Sequence, residues 1–129
     1  MKPVEKRVGK FLKDRGWDTL RPGDLAKSIM IEGAELLELF QWENRELEEV
    51  KKDKVKMAEI RKELADVFIY AFDMAVLLNI DVEKMITEKL KVLEKKYPAA
   101  LMRKNAKKGA GSGEDSAYWA IKKQHRKKK

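Results

Sequence analysis

The strongest constraint on how this chain folds is acid placed inside apolar helix. Residues 28–42, SIMIEGAELLELFQW, carry Glu32, Glu35 and Glu38 in the middle of an otherwise apolar run. Residues 63–80, ELADVFIYAFDMAVLLNI, repeat the pattern with charge only at Glu63, Asp66 and Asp73. Glu32/Glu35 and Glu63/Asp66 are each spaced i, i+3, so both carboxylates of a pair leave the same helix face. Two such pairs facing each other make a four-carboxylate cluster.

A buried carboxylate costs several kcal/mol unless it protonates or meets a cation, and four together also repel one another. A hard divalent cation resolves that conflict. With carboxylate oxygens alone, and neither Cys nor His in the set, the donors suit Mg²⁺ or Mn²⁺ rather than structural zinc. Mg²⁺ held by a few protein oxygens and several waters is the usual companion of substrate phosphates. The competing reading places the acids on the solvent edge of an amphipathic helix, paired with lysines. Apolar residues nearly all round both segments argue against it.

A chain of 129 residues is expected to form one domain, small enough for a partner subunit to complete its core. The formal charge of +8 is not spread evenly. Residues 1–100 hold 20 Lys/Arg against 20 Asp/Glu, and residues 101–129 hold 10 against 2, so the whole excess lies in the last segment. Any contact with nucleic acid is therefore assigned to that tail. The absence of cysteine excludes disulfides and thiolate metal sites, and fits a reducing, cytoplasmic setting. No signal peptide is expected in MKPVEKRVGK, which has no apolar core, and no uncharged run is long enough to cross a bilayer.

Along the chain, Val4, Val8, Phe11 and Leu12 predict an amphipathic helix ending near Gly16. WDTLRPG follows as a connection, and Asp24 is expected to cap a second helix running from about Leu25 to Glu43. Gly33 inside it is either a tolerated glycine or a point of close approach for a helix or ligand. Residues 44–56 read as a solvated connection or short helix. A third helix begins near Met57, is closed by Asn79, and is expected to be the most buried element. A fourth, capped by Asp81, runs to Pro98. No segment alternates as a strand does, so the fold expected is all-α, an antiparallel four-helix-type bundle completed by oligomerisation. Residues 1–100 form the helical domain, and 101–129 a basic tail. RKNAKKGAGSGED in that tail reads as a linker, and SAYWAIKKQHRKKK as a short helix anchored by Tyr118, Trp119 and Ile121. Gly109, Gly111 and Gly113 lack the flanking strand and GK[ST] of a phosphate loop, and His125 reads as a solvated residue.

Glu32-Gly-Ala-Glu35 followed by Glu63-Leu-Ala-Asp66 resembles the ExxE…ExxD signature of the MazG-like, all-α nucleoside triphosphate pyrophosphohydrolases. Phe11-Leu-Lys-Asp-Arg-Gly-Trp17, Pro22-Gly-Asp-Leu25, Glu35-Leu-Leu-Glu-Leu-Phe-Gln-Trp42, Glu63-Leu-Ala-Asp-Val-Phe-Ile-Tyr70 and Lys96-Tyr-Pro98 fall in the order seen in the dCTP-pyrophosphatase-like branch, over roughly residues 5–98. The resemblance implies Mg²⁺-dependent cleavage of a (deoxy)nucleoside triphosphate to the monophosphate and pyrophosphate, with a role in nucleotide-pool sanitation. It implies Glu32, Glu35, Glu63 and Asp66 as metal ligands, and Glu35 or Glu38 as the group that orients or deprotonates water. Trp17, Trp42 and Tyr70 match aromatic positions of the base pocket, Lys89 a basic position facing phosphate, and Tyr97 the KYP element. It also implies a homodimer or homotetramer.

This chain departs from the branch where relatives often carry histidine ahead of the Pro22 position, having Leu20-Arg21 and one residue fewer. Leu93 stands where relatives have asparagine, and Asp24 where they often do. Arg21 is the candidate substitute contact. The alternative function is a helical-bundle binding protein or scaffold whose basic tail grips nucleic acid.

Overall fold

The computed structural model of the protein describes residues 2–107 and 117–127. All regular structure among them is helical: α1 (Pro3–Asp14), α2 (Pro22–Glu38), α3 (Leu47–Lys52), α4 (Lys54–Leu77), α5 (Val82–Lys96), α6 (Ala99–Lys107) and α7 (Ala117–Lys127). The chain divides into two compact units, Met1–Val82 and Glu83–Lys129.

In the first unit Pro3 opens α1, Glu5 sits in its first turn and Lys13 in its last, each complementing the helix dipole. The helix stops where Gly16 takes a left-handed φ of 69°. Gly16 N–H donates to the Lys13 carbonyl at 3.1 Å, and Trp17 N–H to the Leu12 carbonyl at 2.9 Å. That pair of bonds satisfies the free carbonyls of the last turn and folds Trp17 back beside Phe11, with the rings edge to face at 5.9 Å. The same device ends α4. There Asn79 adopts φ 56°, and Ile80 N–H donates to the Ala75 carbonyl at 2.8 Å. Asparagine tolerates this conformation because its side chain is short and polar.

α2 starts three residues earlier than the expected Leu25. Pro22 occupies the first helical position, with its φ already suited to a helix, and Asp24 becomes a first-turn acid instead of the cap. The helix also ends earlier, at Glu38 instead of Glu43. Leu39, Phe40 and Gln41 N–H bond to carbonyls three residues back, and these tighter turns dissolve the helix before Trp42. Of the mixed-charge segment that follows, Leu47–Lys52 is helical. α4 begins at Lys54, not Met57, because Asp53 caps it by accepting a bond from Lys56 N–H at 3.0 Å. Arg45 donates to the same carboxylate at 2.8 Å, and Lys56 Nζ reaches the Leu39 carbonyl at 2.9 Å. The start of α4 is thereby tied to the end of α2, and among the described residues these two helices make the most extensive contact.

The core of this unit is small. Leu12, Leu25, Ala75 and Val82 are its buried apolar residues, joined by the buried acids Glu5 and Asp73. α1 lies close to α4 at Gly9, where an added Cβ would meet Val76 at 3.4 Å. A Cβ at Gly33 would meet nothing within 4 Å among the described residues, so no close approach among them requires that glycine.

In the second unit, residues 103–107 are helical instead of the linker their composition suggests, since α6 continues from Ala99 to Lys107. The remainder of that linker and its three glycines lie outside the described residues. The expected last helix is α7, with Tyr118, Trp119 and Ile121 half-buried. Tyr118 stacks on Tyr97 at 5.1 Å, and Lys122 lies over Trp119 at 5.0 Å. Among the described residues no helix is long and apolar enough to cross a membrane.

The Asp53 carboxyl is held below the usual carboxylate range by the Lys56 N–H first and Arg45 second. A depressed folded-state pKa gives stability that is present above the unfolded pKa and lost as pH falls through the folded one. Asp53→Ala should lower Tm by about 4–8 °C at pH 7, the effect of one lost cap in a unit of this length, and by less in acid. Thermal melts at both pH values check this.

Candidate metal centre

α2 and α4 are antagonists that packing forces together. Glu32 projects from α2, Glu63 and Asp66 from α4, and one carboxylate oxygen of each lies within 4.8 Å of the other two. All three side chains are half-buried. Glu35, one turn beyond Glu32, is more exposed and interacts electrostatically with both Glu32 and Glu63. Glu38 follows a further turn along and adds its negative charge to the surroundings of Glu35.

The electrostatics record the strain. Glu35 is held above the ordinary carboxylate range by its hydrogen bond to Glu32, then by the Glu32 charge. Glu63 is pushed up by burial, then by the charge of Glu35 and a hydrogen bond to it. Glu32 Oε2 and Glu63 Oε2 are buried without a hydrogen-bond partner among the described residues. Buried acceptors of this kind are costly, and a divalent cation satisfies several of them at once. The donor set fits such an ion: hard oxygens, clustered, negative, and short of partners.

Beside the cluster opens a cavity of about 420 Å³, lined by residues from α1, α2, α4 and the α1–α2 connection. Asp66 belongs to both features. Phe11, Trp17, Leu20, Leu25, Ile69 and Tyr70 give apolar and aromatic walls, and Asp24, Ser28 and Asp73 give polar ones. Trp17 and Tyr70, both expected from the sequence at a substrate pocket, line this one cavity. Arg21 and Trp42 do not line this cavity, and Trp42 is 89 % exposed because α2 has ended before it. Lys89 and Tyr97 belong to the second unit. Lys89 borders a groove of about 720 Å³ there with Lys95, Lys96, Ile121 and His125, and Tyr97 carries the stacked Tyr118.

Sequence reasoning passed over Asp73, Asp24, Ser28 and Phe11 as cavity residues. Asp73 had a readable signal. It lies seven residues after Asp66 and three after Tyr70, so all three share one face of α4.

The profile of the MazG-like family matches residues 27–111. The human dCTP pyrophosphatase 1 is 27% identical over 110 residues, covering 84% of this chain, and the mouse protein is 27% identical over 108 residues. The chain spans 65% of the length of the human relative and 64% of the mouse one. Among solved structures, a pyrophosphatase from Archaeoglobus fulgidus is similar with a TM-score of 0.65 and 35% identity, covering 74% of this chain and 89% of its own.

The raised pKa values of Glu35 and Glu63 carry a sign. Without a cation the folded state binds these protons more tightly than the unfolded state, so stability falls as pH rises through the carboxylate range. Glu63→Gln should therefore raise the Tm of the metal-free protein at pH 7 by a few degrees, and flatten its dependence on pH between 4 and 7. Added Mg²⁺ should stabilise the parent protein more than the variant. Differential scanning calorimetry with and without a chelator measures both effects.

Proposed function

Since the chain belongs to the MazG-like family, we propose that it hydrolyses nucleoside triphosphates to the monophosphate and pyrophosphate in a Mg²⁺-dependent reaction. The observation that carries this reading is the convergence of Glu32, Glu63 and Asp66 next to a ring-sized cavity that shares Asp66. Glu32, Glu63 and Asp66 would hold the ion, with Glu35 beside them. A bound Mg²⁺ would supply charge to offset the phosphates and to lower the pKa of a water.

The protein's own groups account for the rest. Trp17, Phe11 and Tyr70 take the base between apolar and aromatic surfaces, so that the 5′ phosphates extend toward Asp66. Hydrolysis forms a bond from the water oxygen to phosphorus and breaks the α–β bridging P–O bond, and pyrophosphate leaves. The proton of the water passes to a carboxylate oxygen of Glu35 or Glu38, both exposed acids that follow Glu32 along α2. A rigid cavity places the reacting atoms together, which removes much of the entropic cost of the encounter.

The dCTP pyrophosphatases among its relatives support a deoxynucleotide as substrate, and removal of unwanted triphosphates from the nucleotide pool is the role such a reaction would serve. Exposed Met30, Ile31 and Leu37 on α2 and Leu64 and Phe68 on α4, set against so few buried apolar residues, support a homodimer or tetramer that covers them.

The test is incubation with a panel of nucleoside triphosphates and Mg²⁺, with separation of monophosphate plus pyrophosphate from diphosphate plus phosphate. The first pair of products is expected. Chelation should stop turnover, and Glu63→Gln should reduce kcat/KM by more than the 10–100-fold typical of groups outside the ligand shell. Release of single phosphate, or turnover unaffected by both treatments, refutes the reading.

A further inference from the structure

Asp73 is the buried acid of α4, and the hydrolytic chemistry does not use it. It is 4 % exposed, and its Oδ1 has no hydrogen-bond partner among the described residues. It nevertheless lines the cavity that Asp66, Tyr70 and Trp17 line, and borders a second cavity of about 310 Å³ with Arg7 and Phe11. A buried carboxyl with an idle oxygen is costly to keep, and burial pushes its pKa above the ordinary range. A hydrogen-bond donor delivered by a ligand removes that cost.

Geometry says which part of a ligand arrives there. Asp66 and Asp73 are seven residues apart on one helix, which separates them by about 10 Å along its axis on nearly the same face. Tyr70 lies between them on that stripe. A nucleotide with phosphates at Asp66 and its ring against Tyr70 brings the far edge of the base to the level of Asp73.

We propose that Asp73 is a specificity residue that reads the base edge and favours an amino-bearing base over uracil or thymine. Cytosine presents an exocyclic N–H₂ that can donate to the idle oxygen. Uracil presents carbonyl oxygens on both sides of its single N–H, and these face the carboxylate with like charge. Cytosine and uracil are the same size, so the cavity walls alone cannot separate them. A site built around a hydrogen bond rejects the analogue that cannot make it far more strongly than an apolar pocket rejects an extra atom.

This assignment rests on the nucleotide reading above, and its test keeps the two apart. kcat/KM for dCTP and dUTP is measured with Mg²⁺ for the parent protein, Asp73→Asn and Asp73→Leu, together with binding of dCMP and dUMP in the presence of a chelator. The parent should favour the cytosine nucleotide about tenfold or more in both measurements. Asp73→Asn presents a donor as well as an acceptor, so it should admit the uracil nucleotide and shrink the ratio about tenfold, chiefly by raising dUTP turnover. Asp73→Leu should shrink it by lowering the dCTP value. An unchanged ratio in both variants, equal losses on both substrates, or a parent that favours dUTP overturns the assignment. A preference for dCMP that depends on Asp73, without turnover of any triphosphate, overturns the hydrolase reading and leaves the base reader standing.

Discussion

Repulsion among the carboxylates of α2 and α4 is the constraint around which the first unit is arranged. Left to themselves, Glu32, Glu63 and Asp66 would separate into water, where each gains full hydration. They stay within 4.8 Å of one another because α2 and α4 pack along much of their length. Apolar burial is non-directional and spread over many residues, whereas repulsion is concentrated at a few atoms. The helices can therefore hold a locally unfavourable point at the expense of overall stability. The small core, with only four buried apolar residues described, leaves little surplus for that purpose within one copy of the chain.

What gives the helix pair its register is a set of polar terminal contacts. Lys56 Nζ bonds to the Leu39 carbonyl, and Asp53 both caps α4 and accepts from Arg45. Because these bonds join the end of one helix to the start of the other, they set how far α4 slides along α2. A slide of one residue would turn Glu63 and Asp66 by about 100° around the helix and disperse the cluster. The left-handed residues at Gly16 and Asn79 do comparable work at the other ends, and Gly16 also delivers Trp17 to the cavity wall.

Much of this is legible in the sequence, and the exceptions have physical causes. The i, i+3 acid pairs stand out because charge inside an apolar helical run is rare, and pattern alone brings Glu32 and Glu35 to one face. Helix type is equally plain, since apolar spacing is strong in α1 and α5 and the apolar run of α4 is too long for a strand. The ends of α2 were not, because both depend on local competition: Pro22 starts the helix ahead of the better-looking cap Asp24, and three-residue turns end it before Trp42. α6 was hidden by composition, since lysines and a nearby glycine-rich segment look like linker while still permitting a helix. Asp73 was visible as a residue but not as a cavity wall, because burial of a single acid depends on what α1 brings to its side of α4.

α4 emerges as a ruler. Asp66, Tyr70 and Asp73 follow one another along the face of α4 that lines the cavity, so two carboxyl groups and the ring between them are presented in a fixed order. A helix is well suited to this because its rise per residue is fixed by backbone hydrogen bonds and cannot stretch to suit a ligand. Distances along it are then as constant as the covalent distances along a nucleotide. Loops supplying the same groups would need ordering at each encounter, which costs binding free energy before any contact is made. The opposite wall, built from α1, α2 and the Trp17 turn, contributes shape rather than spacing. Substitutions there are accordingly free to change the shape of the cavity, while the separation between Asp66 and Asp73 stays as α4 sets it.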